Sequence, residues 1–288
     1  MYENFGQWET YWDDKETVEV EGRGSFNVYS SLSESPYCII CCHGAGHSAL
    51  SFSLLAKQLR GIFTIFSPDL KCHGDTPGNP SQDLTIESLS EDFIGLCKKL
   101  QPPKTHLILI GHSLGGCICA NAALAVHTSA ILSVDTIEGP VLESLPAMKQ
   151  ILLRRPQQFA TPAQCISYVA SNGELQNYDS AVISASGRFK KTDNGYVWTT
   201  DLLKSEAAWP NWFKGFAETF LKSTAYKVVI LPDINRLDTP FTIAHMSGKF
   251  QLEVVLGTTH CIHEDKPEAF VRILQRLVQR ISSTHTWD

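Results

Sequence analysis

Residues 107–120 read LILIGHSLGGCICA, and this stretch decides the fold. Four apolar residues lead into Gly111, Ser113 stands between two glycines, and small apolar residues follow. This order is typical of a buried strand that turns sharply into a helix and lifts the serine hydroxyl above the sheet edge. Glycines suit the flanking positions because such a turn leaves little room for side chains. The stretch therefore predicts a nucleophilic Ser113, and an ordinary serine in a glycine turn is the alternative.

Short apolar runs alternate with helical patterns along the rest of the chain. The runs lack the polar alternation of a half-exposed sheet, as expected of parallel strands covered on both faces. Helical spacing appears over 86–100 and again from about residue 265 to 281, and VEVEGRGSFNVYSS (18–31) predicts an antiparallel pair. The pattern predicts the α/β class, with a mostly parallel central sheet flanked by helices. The six runs are YCIICC (37–42), IFTIFS (62–67), HLILI (106–110), AILSV (130–134), KVVIL (227–231) and LEVVL (252–256).

One long segment interrupts this alternation. Residues 140–226 contain no apolar run of similar quality and are rich in helix-forming and aromatic residues. Because the segment falls between two strands of the predicted sheet, we expect an inserted helical cap. Residues 1–139 and 227–288 then form the hydrolase-like core.

Composition narrows the class of protein. The chain has 288 residues, 43% of them hydrophobic, and a net charge of −6, which disfavours nucleic acid or an anionic membrane surface as partner. No run approaches the roughly 18 apolar residues of a membrane span. The nine cysteines lie largely in apolar runs, and Cys38 and Cys41 lack a second ligand pair, so we expect reduced thiols and no metal site. Together with an N-terminus unlike a targeting peptide, this predicts a cytoplasmic protein, with the nucleus left open.

A serine nucleophile needs a base, and position selects it among ten histidines. His260 lies in a short loop, GTTHCIHEDKP (257–267), between the last predicted strand and the final helix. An α/β-hydrolase places its catalytic histidine there, in the order serine, acid, histidine. His263 is the rival, although with its acidic neighbours it can be explained by helix capping.

The third member of the triad is less clear from the residues alone. Asp135 follows the strand AILSV, whereas Asp233 and Asp238 follow KVVIL, the commoner position for the acid. Each could orient the imidazole, and each could instead be an ordinary turn or cap residue.

The segment CCHGAG (41–46) ends the first core strand and predicts an oxyanion hole. Its glycine-rich turn lets backbone N–H groups face a developing oxyanion, with Ala45 as one donor and Leu114 as the other. The lysine and spacing of a phosphate-binding loop are absent. No cofactor is expected.

Several motifs together resemble the protein phosphatase methylesterase family, an α/β-hydrolase group. The resemblance covers nearly the whole chain, and HGAGHSALSF and VDTIEG are far more specific than the serine motif. One departure is HGAG, where the family usually shows HGGG, so that Ala45 adds a methyl group beside the predicted oxyanion hole. The motifs are HGAGHSALSF (43–52), DLKCHGDT (69–76), GHSLGG (111–116), VDTIEG (134–139), RRPQQF (154–159), INRLD (234–238), GKFQLEVV (248–255) and THCIHED (259–265).

The resemblance implies an activity and a partner. Family members remove the methyl ester from the C-terminal leucine of the type 2A protein phosphatase catalytic subunit, docking it with cap and rim surfaces, and partner binding helps to form the competent site. Carried over to this chain, the triad falls on Ser113, Asp135 and His260, and the protein is expected to be a monomer. Two alternatives stay open. One is a general carboxylesterase, and the other is an inhibitory phosphatase-binding protein that docks through Trp209, Trp212 and Phe213.

Overall fold

A computed structural model describes residues 3–284 of the chain. The strands are Asp14–Val20 (β1), Gly24–Ser31 (β2), Tyr37–Cys42 (β3), Thr64–Pro68 (β4), His106–His112 (β5), Ala130–Val134 (β6), Gln158–Phe159 (β7), Phe189–Thr192 (β8), Gly195–Trp198 (β9), Tyr226–Leu231 (β10) and Gln251–Val254 (β11). The α-helices are Ser53–Leu59 (α1), Pro80–Asp83 (α2), Ile86–Leu100 (α3), Leu114–Ala125 (α4), Glu138–Arg154 (α5), Pro162–Ser171 (α6), Tyr178–Arg188 (α7), Trp209–Phe213 (α8), Phe216–Lys222 (α9), Thr239–Met246 (α10), Ile262–Asp265 (α11) and Pro267–Thr284 (α12). Short 3-10 helices occupy Trp8–Thr10, Ala49–Phe52, Leu202–Ala208 and Ile234–Arg236.

An eight-stranded sheet in the order β1-β2-β4-β3-β5-β6-β10-β11 forms the centre of the molecule. Strands β4 to β11 of this order pair in parallel, and β1, β2 and β4 are joined by antiparallel pairings. The predicted fold class is therefore confirmed, as is the antiparallel pair near the N-terminus. All six predicted apolar runs contribute strands; two have the predicted boundaries, and the boundaries of the other four differ by at most two residues.

The continuous apolar character of β3 follows from burial on both faces of the sheet. Cys38 and Ile40 pack into the core beneath α3 and α4, whereas Ile39 and Cys41 pack into the core beneath α1 and α12. Because alternate residues of a strand point to opposite faces, the thiols of Cys38 and Cys41 cannot converge on one metal or form a local disulfide. All nine cysteines are buried, and no disulfide joins any of them in the described residues. Across residues 3–284, no helix is both long and apolar enough to cross a membrane.

Close packing explains the glycines on either side of Ser113. A side chain at Gly111 would place its Cβ 2.2 Å from the carbonyl oxygen of Gly115. A side chain at Gly115 would place its Cβ 2.0 Å from the carbonyl oxygen of Cys42 and 2.8 Å from that of His43. These neighbours are backbone atoms that cannot rotate away. The two glycines therefore let α4 begin directly against the ends of β5 and β3.

We expect the Gly115→Ala substitution to destabilise the protein. Alanine favours a helix by about 1 kcal/mol over glycine, but the clash with the Cys42 carbonyl requires a shift of the β3–α4 contact, and such overpacking costs about 1–3 kcal/mol or more. A fall in Tm of several degrees, measured by calorimetry, is the expected result. Gly139→Ala is the control, since its added Cβ would meet only side-chain atoms of Asp238 at 3.1 Å. Equal Tm values for the two variants would contradict this account.

The segment between β6 and β10 contains α5 to α9 and a small antiparallel sheet in the order β7-β9-β8. The segment expected to form a helical cap therefore contains strands as well as helices, and these strands of two to four residues are too short to produce an apolar run. The predicted boundary after residue 139 falls inside α5, directly after the second residue of that helix. Trp209, Trp212 and Phe213 are all buried, with 1–3% of each residue exposed. Their side chains belong to the core and cannot serve as a docking surface in this conformation.

Candidate active site

Ser113 occupies the sharp turn between β5 and α4. Its φ of 52° and ψ of −120° lie in a region that residues other than glycine rarely adopt. Two hydrogen bonds hold this strained conformation. Ser113 N–H donates to the carbonyl oxygen of Val134 at 3.0 Å, and the Ser113 carbonyl oxygen accepts from the Thr136 hydroxyl at 2.9 Å. This geometry places the half-buried serine at the carboxyl edge of the sheet, where α/β folds bind ligands.

Asp135 and His260 form a hydrogen-bonded pair at the same edge. Asp135 follows β6 with a φ of 49°, and His260 lies in the loop between β11 and α11. The Nδ1 atom of His260 lies 2.6 Å from Oδ2 of Asp135, whose side chain is only 1% exposed. An ionised carboxylate in this position fixes the tautomer with hydrogen on Nδ1 and leaves Nε2 free to accept a proton.

The other two candidate acids have structural roles. Asp233 caps the 3-10 helix Ile234–Arg236 by accepting from Asn235 N–H at 2.9 Å. Asp238 caps α10 by accepting from Phe241 N–H at 3.0 Å, and it also accepts from Gly139 N–H at 3.0 Å. Of the three aspartates that sequence alone left open, only Asp135 is bonded to His260 in the described chain.

Ser113 and His260 line one cavity of about 550 Å³. Within residues 3–284, however, no hydrogen bond joins the serine hydroxyl to the imidazole ring. Catalytic hydrogen bonds are often long or poorly aligned without substrate and tighten in the reacting complex. The structure therefore brings the three predicted triad residues to one site, with the acid–base contact formed and the base–nucleophile contact open.

The predicted oxyanion donors also lie beside Ser113. Ala45 lines the cavity, whereas the next amide, Gly46 N–H, is already occupied by a bond to Nε2 of His73 at 2.9 Å. In the described chain, Ala45 N–H has no acceptor. Leu114 is the first residue of α4, where backbone N–H groups have no intrahelical partner. Both amides are thus available for an anion next to the serine.

The other histidines near the cavity are structural. His43 accepts from Leu70 N–H through Nε2 at 3.0 Å and donates to the Gly44 carbonyl through Nδ1, and burial together with His73 holds its pKa well below the usual value. His112 contacts the carbonyl oxygen of His260 at 3.1 Å and thereby supports the loop that carries the base.

His263, the rival base, is fully buried and does not cap a helix as expected. Neither ring nitrogen has a hydrogen-bond partner in the described chain, and the ring packs 4.5 Å from the ring of Phe52 and 4.7 Å from that of His112. Burial and the neighbouring histidines hold the pKa of His263 well below the usual value, so the ring is neutral. His263 therefore supports the site by packing.

Beside the cavity, four ionisable residues join the segment between β6 and β10 to the rest of the fold; three are buried and Glu174 is half-buried. Glu174 lies 3.1 Å from Nε2 of His47 and 2.9 Å from Arg188, and Glu264 lies 3.5 Å from Nδ1 of His47. Burial alone would lower the pKa of His47, but the two glutamates raise it above the usual value. The two glutamates thus face two basic side chains, His47 and Arg188. His47, Glu174 and Cys261 come close enough to surround a metal ion, but Arg188 already neutralises Glu174 there, and burial raises the pKa of the Cys261 thiol, so the set suits a metal poorly.

Sequence reasoning missed one residue of this site. Arg236, in the 3-10 turn after β10, places Nε 3.0 Å from Oδ1 of Asp135, the carboxylate oxygen that does not face His260. The contact is ionic and not an aligned hydrogen bond, because Asp135 Oδ1 has no partner of hydrogen-bond geometry in the described chain. The motif INRLD contained this arginine, but no spacing rule connects residue 236 with residue 135.

We expect Arg236→Gln to lower kcat by about 3- to 10-fold and to change KM little. The arginine holds the Asp135 carboxylate in place, but it is 39% exposed, so solvent offsets part of the loss. Steady-state kinetics on a small acyl ester measure the effect, with the exposed Arg272→Gln as control. Arg236→Lys should retain part of the activity. If Arg236→Gln lowered activity by the same factor in the wild-type and Asp135→Asn backgrounds, the loss would not come from the contact with Asp135.

Comparison with known proteins agrees with this geometry. Residues 39–273 match the model of the alpha/beta hydrolase family, which covers more than half of the chain. Protein phosphatase methylesterase 1 of Schizosaccharomyces pombe is 34% identical over 287 residues, which span 94% of this chain and 84% of that protein. The chain belongs to the protein phosphatase methylesterase family. The human protein of the same name is 30% identical, across 91% of this chain and 81% of its own length.

Solved structures of distant members of the fold support the architecture alone. E-2-(acetamidomethylene)succinate hydrolase superposes with a TM-score of 0.79 at 19% identity, covering 92% of this chain and 99% of that one. A Mycobacterium tuberculosis esterase superposes with a TM-score of 0.70 at 16% identity, covering 92% of both chains. At these identities the likeness shows a shared fold and carries no information on substrate.

Proposed function

We propose that this protein is a serine methylesterase that hydrolyses the methyl ester on the C-terminal leucine of the type 2A protein phosphatase catalytic subunit. The observation that carries the proposal is the bond between the buried Asp135 and His260, in a chain of this family whose His260 and strained Ser113 line the same cavity. A general serine esterase would have the same residues, so the substrate assignment rests on family membership.

The proposed reaction has two steps. In the first, Ser113 Oγ attacks the ester carbonyl while His260 Nε2 takes the hydroxyl proton, and the imidazolium is stabilised by Asp135. The N–H groups of Ala45 and Leu114 bind the oxyanion, and the intermediate collapses to an acyl-serine and methanol, which receives the proton from His260. In the second, His260 takes a proton from a water molecule as its oxygen attacks the acyl-serine, and His260 then returns that proton to Ser113 Oγ as the C–O bond to serine breaks and the free acid is released.

The cavity wall suits an apolar acyl group. Helix α5 contributes Leu145, Met148 and Leu152 to the lining, and Phe213 lies on the same wall. An apolar pocket next to the nucleophile favours a leucyl side chain through burial of its methylene and methyl groups. The open contact between Ser113 and His260 also accords with a site that is completed when the phosphatase binds.

A purely inhibitory binding protein is less well supported. The three aromatic residues expected at its docking surface are buried, and a non-catalytic protein has no need of a strained serine beside a bonded His–Asp pair. We also propose that residues 140–226 act as the cap of a monomeric enzyme that works in the cytoplasm.

The test compares substrates. The protein is incubated with carboxymethylated type 2A phosphatase and, separately, with small acyl esters, and released methanol and the ester remaining on the phosphatase are followed over time. We expect the phosphatase ester to be hydrolysed with a kcat/KM far above that of the small esters. Turnover of the small esters alone would reduce the assignment to a general carboxylesterase.

A further inference from the structure

An arginine that forms no ion pair within the described part of the chain lies in the wall of the catalytic cavity. Arg155, the residue that follows α5, lines the same cavity as Ser113. No carboxylate of residues 3–284 lies within ion-pair distance of its guanidinium, and its Nε atom is shielded from solvent without an acceptor. Burial and the nearby Arg188 lower the pKa of Arg155 to about 10, which still leaves it charged at neutral pH. A partly buried, unpaired guanidinium is costly unless an anion reaches it.

The acidic residues around Arg155 are already neutralised. Glu174 is shared between Arg188, at 2.9 Å, and His47, at 3.1 Å. Asp201 pairs with Lys204 at 3.4 Å. The charge of Arg155 is therefore a surplus in this wall, because no carboxylate of the described residues forms an ion pair with it.

A rigid aromatic platform holds the guanidinium in place. The Cζ atom of Arg155 lies 4.0 Å from the ring centroid of Trp198, a cation–π contact. The indole N–H of Trp198 donates to the carbonyl oxygen of Pro156 at 2.7 Å, and its ring packs 4.3 Å from that of Phe189. The backbone of Arg155 is fixed as well, since its N–H donates to the carbonyl oxygen of Ile151 at 2.9 Å. A cation held this way loses little conformational freedom on binding an anion.

We propose that Arg155, stacked on Trp198, binds a carboxylate of the substrate: an acidic side chain in the peptide segment that precedes the esterified residue. The inference rests on the proposed function, because it concerns the same cavity and an ester-bearing peptide. The esterified terminus is neutral and cannot balance the charge, so the carboxylate must come from elsewhere in the substrate. A guanidinium fork matches a carboxylate in a bidentate geometry, which makes the contact selective for Asp or Glu over Asn or Gln.

The experiment uses peptides of equal length that end in leucine methyl ester, with a single Glu moved through the preceding positions and a Gln counterpart for each. We expect a kcat/KM about 10-fold higher for Glu than for Gln at one position, mainly through KM. Arg155→Gln should remove this preference, and Arg155→Glu should favour a peptide with Lys at that position. Arg154→Gln is the matched control, because Arg154 is exposed and does not line the catalytic cavity. Tm values of all variants show that they are folded.

A second arm separates this inference from the proposed function. Non-hydrolysable C-terminal amides of the same peptides compete against a small chromogenic ester, so that binding is measured even if no peptide ester is hydrolysed. A Ki ratio near 10 between the Gln and Glu amides that disappears in Arg155→Gln supports the subsite. Equal Ki values at every position overturn it, even if the methyl esters are hydrolysed. The inference is also overturned if the free-acid product inhibits through Arg155 while the Glu and Gln amides inhibit equally.

Discussion

Ser113→Ala is expected to lower the rate of methyl-ester hydrolysis on the phosphatase by about 10⁴- to 10⁶-fold. Without the hydroxyl no acyl-enzyme can form, and His260 loses the proton donor that it activates. Residual turnover would come from water and the backbone amides of Ala45 and Leu114. Single-turnover assays on carboxymethylated phosphatase measure the loss, and methanol release confirms the product.

Ser144→Ala is the matched control, since Ser144 lines the same cavity but donates its hydroxyl to the carbonyl oxygen of Val141. We expect its rate to stay within about threefold of the wild type, as for most substitutions that break no buried network. A Ser113→Ala protein of unchanged Tm that still removed the ester at more than a hundredth of the normal rate would exclude Ser113 as nucleophile.

The fold could be predicted because short local sequence patterns mark its buried strands and the sharp turn at Ser113. Strands buried on both faces, such as β3 and β5, appear as continuous apolar runs, and Ser113 is marked by two glycines whose positions leave no space for a Cβ atom. The position of the proposed base is marked in a similar way, since His260 lies between an apolar run and an amphipathic helix. These signals lie within about ten residues of the feature that they predict.

Features that join distant segments could not be predicted from the residues. The contact of Arg236 with Asp135 depends on β6 and β10 being neighbours in the sheet. The pairing of His47 with Glu174 depends on how the segment between β6 and β10 packs against the rest of the fold. The strands β7 to β9 were missed because each has only two to four residues. The choice of Asp135 as the acid came from family resemblance and not from spacing.

Asp135→Asn is expected to lower kcat by about 10⁴-fold, the magnitude seen when the triad aspartate of a serine protease is replaced by asparagine. Asparagine keeps the shape of the side chain but removes the charge that stabilises the imidazolium of His260. Its amide can also donate to Nδ1, which places the ring hydrogen on Nε2, where it cannot accept a proton from Ser113. The loss should appear in kcat for the phosphatase and for small esters alike.

Asp238→Asn and Asp233→Asn are the controls, because both aspartates cap helices after β10, where an α/β-hydrolase commonly carries its acid. Asparagine caps a helix nearly as well as aspartate, so we expect activity within about threefold of the wild type and small changes in Tm. If Asp238→Asn abolished turnover while Asp135→Asn retained it, Asp238 would have to reach His260 in the reacting complex. The cap and the loop after β10 would then have to rearrange, because in this structure Asp238 is held by the N–H groups of Phe241 and Gly139 at 3.0 Å each, and Asp135 is the carboxylate on the imidazole.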